Sequence, residues 1–197
     1  MMLHVTSETE APLRGELCLT FDPPAQYRVA AVLAIDMVGY TRLMGLDEAR
    51  THAGYKSHRR ELIDVKVAQH RGRIVKSTGD GALAEFASAR DAVLCAVEVQ
   101  RAMADRTAGE PRDRRIAFRI GLSHGRIIVE SDDIYGDEVN IAARLQALAP
   151  AGGIAMSAQV VELAGRSLSV QLEDLGTQRL RNMDRMIHIF RYHGPDR

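Results

Sequence analysis

Apolar positions change their period several times along the chain, and those changes divide it into elements. Val29-Ala30-Ala31-Val32-Leu33-Ala34-Ile35 is unbroken apolar sequence, which predicts a strand covered on both faces. Over Asp47–His70 the stripe turns sparse and helical, carried by Tyr55, Leu62, Ile63 and Val67. Arg73–Lys76 and Ala82–Phe86 predict two short strands joined by Ser77-Thr78-Gly79-Asp80-Gly81, whose Asp-Gly pair is a hairpin signal. Ala92, Ala96, Val99 and Met103 recur at helical intervals and predict a helix over Ser88–Asp105, followed by a polar loop over Thr107–Arg115. Ile116–Ser123 and Ile127–Glu130 predict a second hairpin, turned at His124-Gly125. A helix is expected from Gly136 to Ala149, stopped by Pro150-Ala151-Gly152-Gly153, then a strand at Ile154–Met156. Ser157 is placed to cap a short helix ending at Ala164, and strands are expected near Leu168–Leu172 and Met186–Tyr192. The order is β-α-β-β-α-β with extra strands at the C-terminal end: an α+β domain with a ferredoxin-like βαββαβ core.

The first 27 residues stand apart. Glu8, Glu10, Glu16 and Asp22 face only Arg14, and Pro12, Pro23 and Pro24 break regular structure, so residues 1–27 are expected to be an extension or linker with at most a short strand at Glu16–Phe21. Residues 28–193 are expected to form the domain. Lys+Arg and Asp+Glu both number 26, so a net charge of zero removes the electrostatic case for a nucleic-acid partner or a charged membrane surface. Two cysteines, Cys18 and Cys95, exclude a disulfide framework and a cysteine-rich zinc site. The sequence carries no apolar run long enough for a membrane span and no secretory leader, so a cytoplasmic protein is expected.

Three segments carry candidate chemistry. Asp36 ends the buried strand and runs into Met37-Val38-Gly39-Tyr40-Thr41, where a carboxylate can hold Mg²⁺ and backbone N–H groups can cradle phosphates. Asp80 sits on a tight hairpin turn that would hold its carboxylate rigidly, with Lys76 four residues earlier on the incoming strand. Asn140 and Arg144, at i and i+4, share one helix face; the arginine fork suits phosphate oxygens and the amide suits a sugar. Each segment alone is better read as a helix cap, a turn or a solvated face. Together they suit metal-assisted chemistry on a nucleoside triphosphate.

From Arg28 to Tyr192 the chain resembles the catalytic domain of the class III nucleotidyl cyclases, the adenylate/guanylate cyclase family. The likeness rests on Ile35-Asp36-Met37-Val38-Gly39-Tyr40-Thr41, Lys76-Ser77-Thr78-Gly79-Asp80-Gly81, Asp133-Ile134-Tyr135-Gly136 and Val139-Asn140-Ile141-Ala142-Ala143-Arg144, in family order. The resemblance implies that Asp36 and Asp80, with Met37, bind two Mg²⁺ or Mn²⁺ ions. One ion would activate the ribose 3′-hydroxyl and the other would hold the β- and γ-phosphates. Val38 to Thr41 would contact the substrate, Asn140 would orient the ribose, and Arg144 would stabilise the transition state. Lys76 and Asp133 would select adenine, which makes ATP the expected substrate and cyclic AMP and pyrophosphate the products. It also implies a homodimer with two sites, each built from both chains. Many relatives add a basic residue near the C-terminal strands, for which Arg179 and Arg181 are the candidates. The segment Ile120 to Arg126 departs from the pattern, lacking an asparagine near Ser123 and an acidic residue near Arg126. A guanylate cyclase, a non-catalytic nucleotide-binding or dimerisation module, and another two-metal enzyme on a similar scaffold are the alternatives.

Overall fold

The computed structural model describes residues 26–130, 133–165 and 170–195. Strand β1 (Gln26–Met37) is followed by helices α1 (Tyr40–Leu46) and α2 (Glu48–His58), one π-helical turn (Arg59–Ile63) and α3 (Asp64–Gln69). Strands β2 (Arg73–Ser77) and β3 (Gly81–Phe86) lead into α4 (Ala89–Thr107) and the long β4 (Phe118–Glu130). Then come β5 (Asp133–Tyr135), α5 (Asp137–Leu148), β6 (Ile154–Ser157), α6 (Ala158–Ala164), β7 (Glu173–Arg179) and β8 (Met186–Tyr192). One sheet runs β2-β3-β1-β4-β6-β8-β7, with β5 paired to β4. Its first four strands are antiparallel neighbours, β1 lying between β3 and β4, as the ferredoxin-like pattern requires. Beyond them, β6 runs parallel to β4 across the α5 crossover.

The unbroken apolar run of β1 serves two cores. Ala31, Leu33, Ile35 and Met37 face α1–α4 and α6, while Ala30, Val32 and Ala34 face the side that carries α5. Ala92, Ala96, Val99 and Met103 of α4 are all buried in the first core. Ile141 and Leu145 of α5 close a third cluster against Ala155, Ile187 and Ile189. Burying side chains of this size contributes roughly 1.5–3 kcal/mol each.

Several expectations are corrected. Residues 124 and 125 make no turn: β4 runs straight through, with His124 opposite Ala31 and Gly125 opposite Ala30. Gly125 is small for another reason, since a Cβ there would lie 2.8 Å from the carboxylate of Glu138. The hairpin closes further on, between β4 and β5. The strand pairing with β8 is Glu173–Arg179 rather than 168–172. Of the predicted span, residues 168 and 169 lie outside the described residues, as does the strand proposed at 16–21. Polar β7 is a sheet edge, where pairing rather than apolarity selects the strand and charge blunts the open side. Ser157 occupies the N-cap position of α6 but makes no capping bond. Side-chain caps come instead from Asp47, which accepts from the Arg50 N–H, and Ser88, which accepts from the Asp91 N–H.

Helix α5 approaches β4 so closely that Gly121 has no room for a side chain: an added Cβ would lie 2.1 Å from the Ala142 carbonyl oxygen and 2.3 Å from the Gln146 nitrogen. Both neighbours are helix backbone and cannot yield alone. Gly121→Ala is expected to lower stability by about 2–3 kcal/mol, in the range for overpacking, measured as a reduced urea midpoint at unchanged m-value.

Candidate active site

The site begins with strand register. Asp36, penultimate in β1, lies opposite Gly81 of β3 and Arg119 of β4. The Met37 N–H donates to the Asp80 carbonyl at 3.0 Å, fixing the β2–β3 turn to the end of β1. Gly81 is required for that closeness, because a Cβ would sit 2.4 Å from the Ile35 carbonyl oxygen. The two carboxylates are thereby neighbours. Burial, and then the Asp80 charge, push the Asp36 carboxyl above its ordinary range, and the Arg119 guanidinium only partly opposes them. Arg119 Nη2 donates to Asp36 Oδ2 at 3.2 Å, and Gln146 Nε2 donates to the same oxygen at 3.4 Å. A partly exposed ion pair of this kind contributes about 0–1 kcal/mol, too little to neutralise two adjacent acids.

This pair of oxygen donors short of positive charge suits a hard divalent cation. Among the described residues no group of three or more His, Cys, Asp or Glu forms such a cluster, so further ligands would have to come from backbone carbonyls, water or substrate.

The segment after Asp36 is less open than expected. Of its five N–H groups, Met37 donates to Asp80 and Val38 donates to the Ala117 carbonyl at 2.8 Å. The turn passes through Gly39, at φ 65°, into α1, where Tyr40 and Thr41 stand. The first amides of a helix lack intrahelical acceptors, which leaves Gly39 to Thr41 as the stretch able to meet an anion.

Lys76 and Asp133 are brought together from β2 and β5, with Nζ 2.6 Å from Oδ2. The Ile134 N–H holds the other carboxylate oxygen at 2.9 Å. Each partner keeps the other charged: the lysine lies above its ordinary pKa and the aspartate below. Asn140 and Arg144 project from one face of α5 into a cavity of about 420 Å³, which Arg181 and Arg185 also line. Arg181 thus shares their space, whereas Arg179 is paired opposite Met186 in the β7–β8 ladder. Neither Asp36 nor Asp80 lines that cavity.

Sequence reasoning missed Arg119, Gln146 and the Glu138–Arg185 pair. Arg119 is the lone charge in Ile116-Ala117-Phe118-Arg119-Ile120, and knowing that β4 lies beside β1 would have exposed it. Glu138, buried at 5% exposure, accepts from Arg185 Nη2 at 2.8 Å and so ties the β7–β8 connection to α5.

The chain belongs to the adenylate and guanylate cyclase catalytic domain family, whose sequence model matches residues 23–191. It is 43% identical over 170 residues to the putative adenylate cyclase 3 of Rhizobium meliloti, covering 86% of this chain and 29% of that protein. The chain therefore spans less than a third of that relative. Among solved structures it is similar to an adenylate/guanylate cyclase/hydrolase from Silicibacter pomeroyi, with 45% identity, TM-score 0.82, and coverage of 87% of this chain and 99% of that one. The adenylyl cyclase CyaB from P. aeruginosa shares the fold at 21% identity and TM-score 0.73, over 85% of this chain and 95% of that one. Among the described residues no helix is long and apolar enough to cross a membrane.

The electrostatics of Asp36 give a stability prediction. An acid whose folded-state pKa is raised favours the fold when protonated, and that stability is lost as pH rises through its folded pKa. Cation-free Asp36→Asn is expected to melt above the wild type at pH 7, with the gap narrowing as pH falls toward 4. Melting curves across that range check it; a lower melting temperature at pH 7 would contradict the electrostatic account.

Proposed function

We propose that the protein is an adenylate cyclase, converting ATP to 3′,5′-cyclic AMP and pyrophosphate at sites shared between two copies of the chain. The observation that carries the reading is the Lys76–Asp133 pair. It presents one cationic donor and one anionic acceptor side by side, 2.6 Å apart. Adenine offers an acceptor at N1 and a donor at its 6-amino group, so lysine meets N1 and aspartate meets the amine. Guanine offers the reverse at both positions and leaves two charged groups mispaired. Sites built on such polar complementarity discriminate strongly, because the wrong base forfeits hydrogen bonds after desolvation.

Asp36 and Asp80 hold the divalent cations, with Met37 contributing from the backbone. When bound, Mg²⁺ or Mn²⁺ lowers the pKa of the ribose 3′-hydroxyl and screens the triphosphate. Gly39, Tyr40 and Thr41, at the start of α1, face the phosphates. Asn140 orients the ribose so that the 3′-oxygen lies in line with the α-phosphorus. Arg144 donates to the oxygens on which charge builds as pyrophosphate leaves. Arg181, in the same cavity as these two residues, meets the outer phosphates.

The reading as a homodimer is supported by what one chain keeps apart: the cavity of Asn140 and Arg144 excludes both aspartates. Two copies related by a two-fold axis can join one chain's aspartates to the other's α5, forming two equivalent sites. The domain is taken as residues 28–193, with residues 1–27 as an extension, and no nucleic acid or membrane insertion enters this scheme. A cytoplasmic setting, where ATP is available, fits it.

Turnover of ATP and GTP with Mn²⁺, assayed at several protein concentrations, tests the proposal. Cyclic AMP should form, GTP should be a poor substrate, and activity per chain should rise with concentration as dimers assemble. Asp36→Asn, Asp80→Asn and Arg144→Ala should each reduce kcat by roughly 100-fold or more. Lys76→Ala should instead raise KM for ATP and relax the preference over GTP. Complementation is the sharper test: mixing Asp36→Asn with Arg144→Ala should restore part of the activity, since a mixed dimer retains one intact site. Equal turnover of ATP and GTP, or undiminished activity in Asp36→Asn, would overturn the reading.

A further inference from the structure

The helical segment ahead of the first hairpin contains one turn of unusual pitch. Between α2 and α3, Arg59–Ile63 is π-helical, and the Asp64 N–H donates to the Arg59 carbonyl five residues back. Such a turn adds one residue to the helical register and is frequent at functional sites. Here its effect can be read from the side chains. Thr51 and Tyr55 are buried before it; Leu62, Ile63 and Val67 are buried after it. Arg59 follows Tyr55 by four positions and so shares the inward face. A charged residue on that face needs a partner. In an uninterrupted α-helix, residues 59 and 64 would stand about 140° apart around the axis. The wider turn brings them together, and Asp64 Oδ1 accepts from Arg59 Nε at 2.5 Å.

The far end of the guanidinium reaches the Asp80 turn. Arg59 Nη1 lies 3.4 Å from the Gly81 carbonyl oxygen and 3.5 Å from the Ser77 hydroxyl, which are the two ends of the turn. Tyr55 Oη donates to the same Gly81 carbonyl at 3.1 Å. That carbonyl also accepts from the Thr78 N–H at 3.0 Å, the bond that closes the turn. The Arg59 side chain is only 13% exposed, and its contact with the Gly81 carbonyl is partly buried. The turn needs such backing. Its Asp80 is set beside Asp36, and its Gly79, at φ 83°, has open space around the place of a Cβ. Like-charge repulsion therefore acts on a segment with little packing on its outer side.

We propose that Arg59 is a positioning residue for Asp80, carried by the π-turn to the rear of the 77–81 turn so that the carboxylate stays beside Asp36. Arg59 grips the turn through a backbone carbonyl and a hydroxyl, and leaves the carboxylate charge for the cation. Arg119 differs, since it donates to the Asp36 carboxylate itself. The inference rests on reading Asp36 and Asp80 as the cation site.

The test uses Arg59→Met, which keeps an unbranched apolar stem, and Arg59→Lys, which restores a donor. Hydrogen exchange reads the turn without any activity. The Thr78 N–H and the Met37 N–H, which donates to Asp80, should exchange about tenfold faster or more in Arg59→Met, with α5 amides unchanged and the lysine variant intermediate. Mn²⁺ binding beside a 3′-deoxy ATP analogue, followed by electron paramagnetic resonance, should weaken roughly tenfold, as expected when support behind a metal ligand is lost. The cation concentration for half-maximal turnover should rise in parallel, while KM for ATP at saturating cation moves less than about twofold. Unchanged exchange at Thr78 and Met37 would overturn the inference, as would acceleration spread through α5, which would mean a general loss of stability. If the wild type forms no cyclic nucleotide but Arg59→Met still loosens the turn and weakens Mn²⁺ binding, the positioning role stands and the cyclase reading fails.

Discussion

Two carboxylates held side by side impose the constraint around which the rest of this structure is arranged. Like charges repel, and the cheapest response of a chain is to let one swing into solvent. The fold nevertheless sets their backbones close together. Asp36 is fixed by pairing with β3 on one side and β4 on the other. Asp80 is fixed through its own backbone, whose carbonyl accepts from Met37. Glycine at position 81 permits the approach, because any side chain there would strike the Ile35 carbonyl. The closeness of the two residues is therefore written into backbone geometry.

Among the described residues nothing fully cancels the repulsion. Arg119 and Gln146 both donate to one oxygen of Asp36, yet the carboxyl stays above its ordinary pKa. A tighter partner could have been supplied, as elsewhere in the molecule: Glu85 is flanked by Arg28 and Arg73. The contrast separates two uses of a carboxylate. Glu85 holds strands together, and its charge is met from within the chain by Arg28 and Arg73, both on Oε1. Asp36 is left partly unsatisfied, which is the condition for binding a cation from outside at useful strength. Strain of this kind persists only where the surrounding packing over-determines the geometry, and the doubly faced core of β1 supplies that packing.

Much of this was legible in the sequence, and the divide follows the physics. The β1 strand, α4, α5 and the Asp-Gly hairpin are local: each is fixed by periodicity or turn chemistry within a few residues. The grouping of Asn140 with Arg144 followed from helix spacing, and that of Asp36 with Asp80 from the family resemblance. What failed was non-local. His124-Gly125 looked like a turn because glycine commonly makes one, whereas Gly125 is small to accommodate Glu138 from α5. The β7 strand was displaced because Glu173-Asp174 has no apolar signature and is selected by its partner β8. Arg119, Gln146 and Arg59 reach the aspartates or their turn only through contacts between residues 18 to 110 positions apart. Periodicity and turn chemistry do not reach across such separations, so the candidate ligand residues could be proposed while their supports could not.

The division between the two functional groups carries a last consequence. Within one chain, α5 gives the aspartate group a hydrogen bond from Gln146, while Asn140 and Arg144 face the cavity shared with Arg181 and Arg185. The buried Glu138 clamps Arg185, so the wall of that cavity is tied to the N-terminal turn of α5. Lys76 and Asp133 are likewise tied to each other. Within one chain, then, Asn140 and Arg144 stay apart from the aspartates. In the reading proposed above, they meet by association of chains. The alignment of the attacking oxygen then depends on how two bodies dock, and a small rotation at the interface moves Arg144 relative to Asp36 far more than it disturbs either fold. Control of such an enzyme acts most economically on docking, which is where a neighbouring domain or partner has leverage without touching the chemistry.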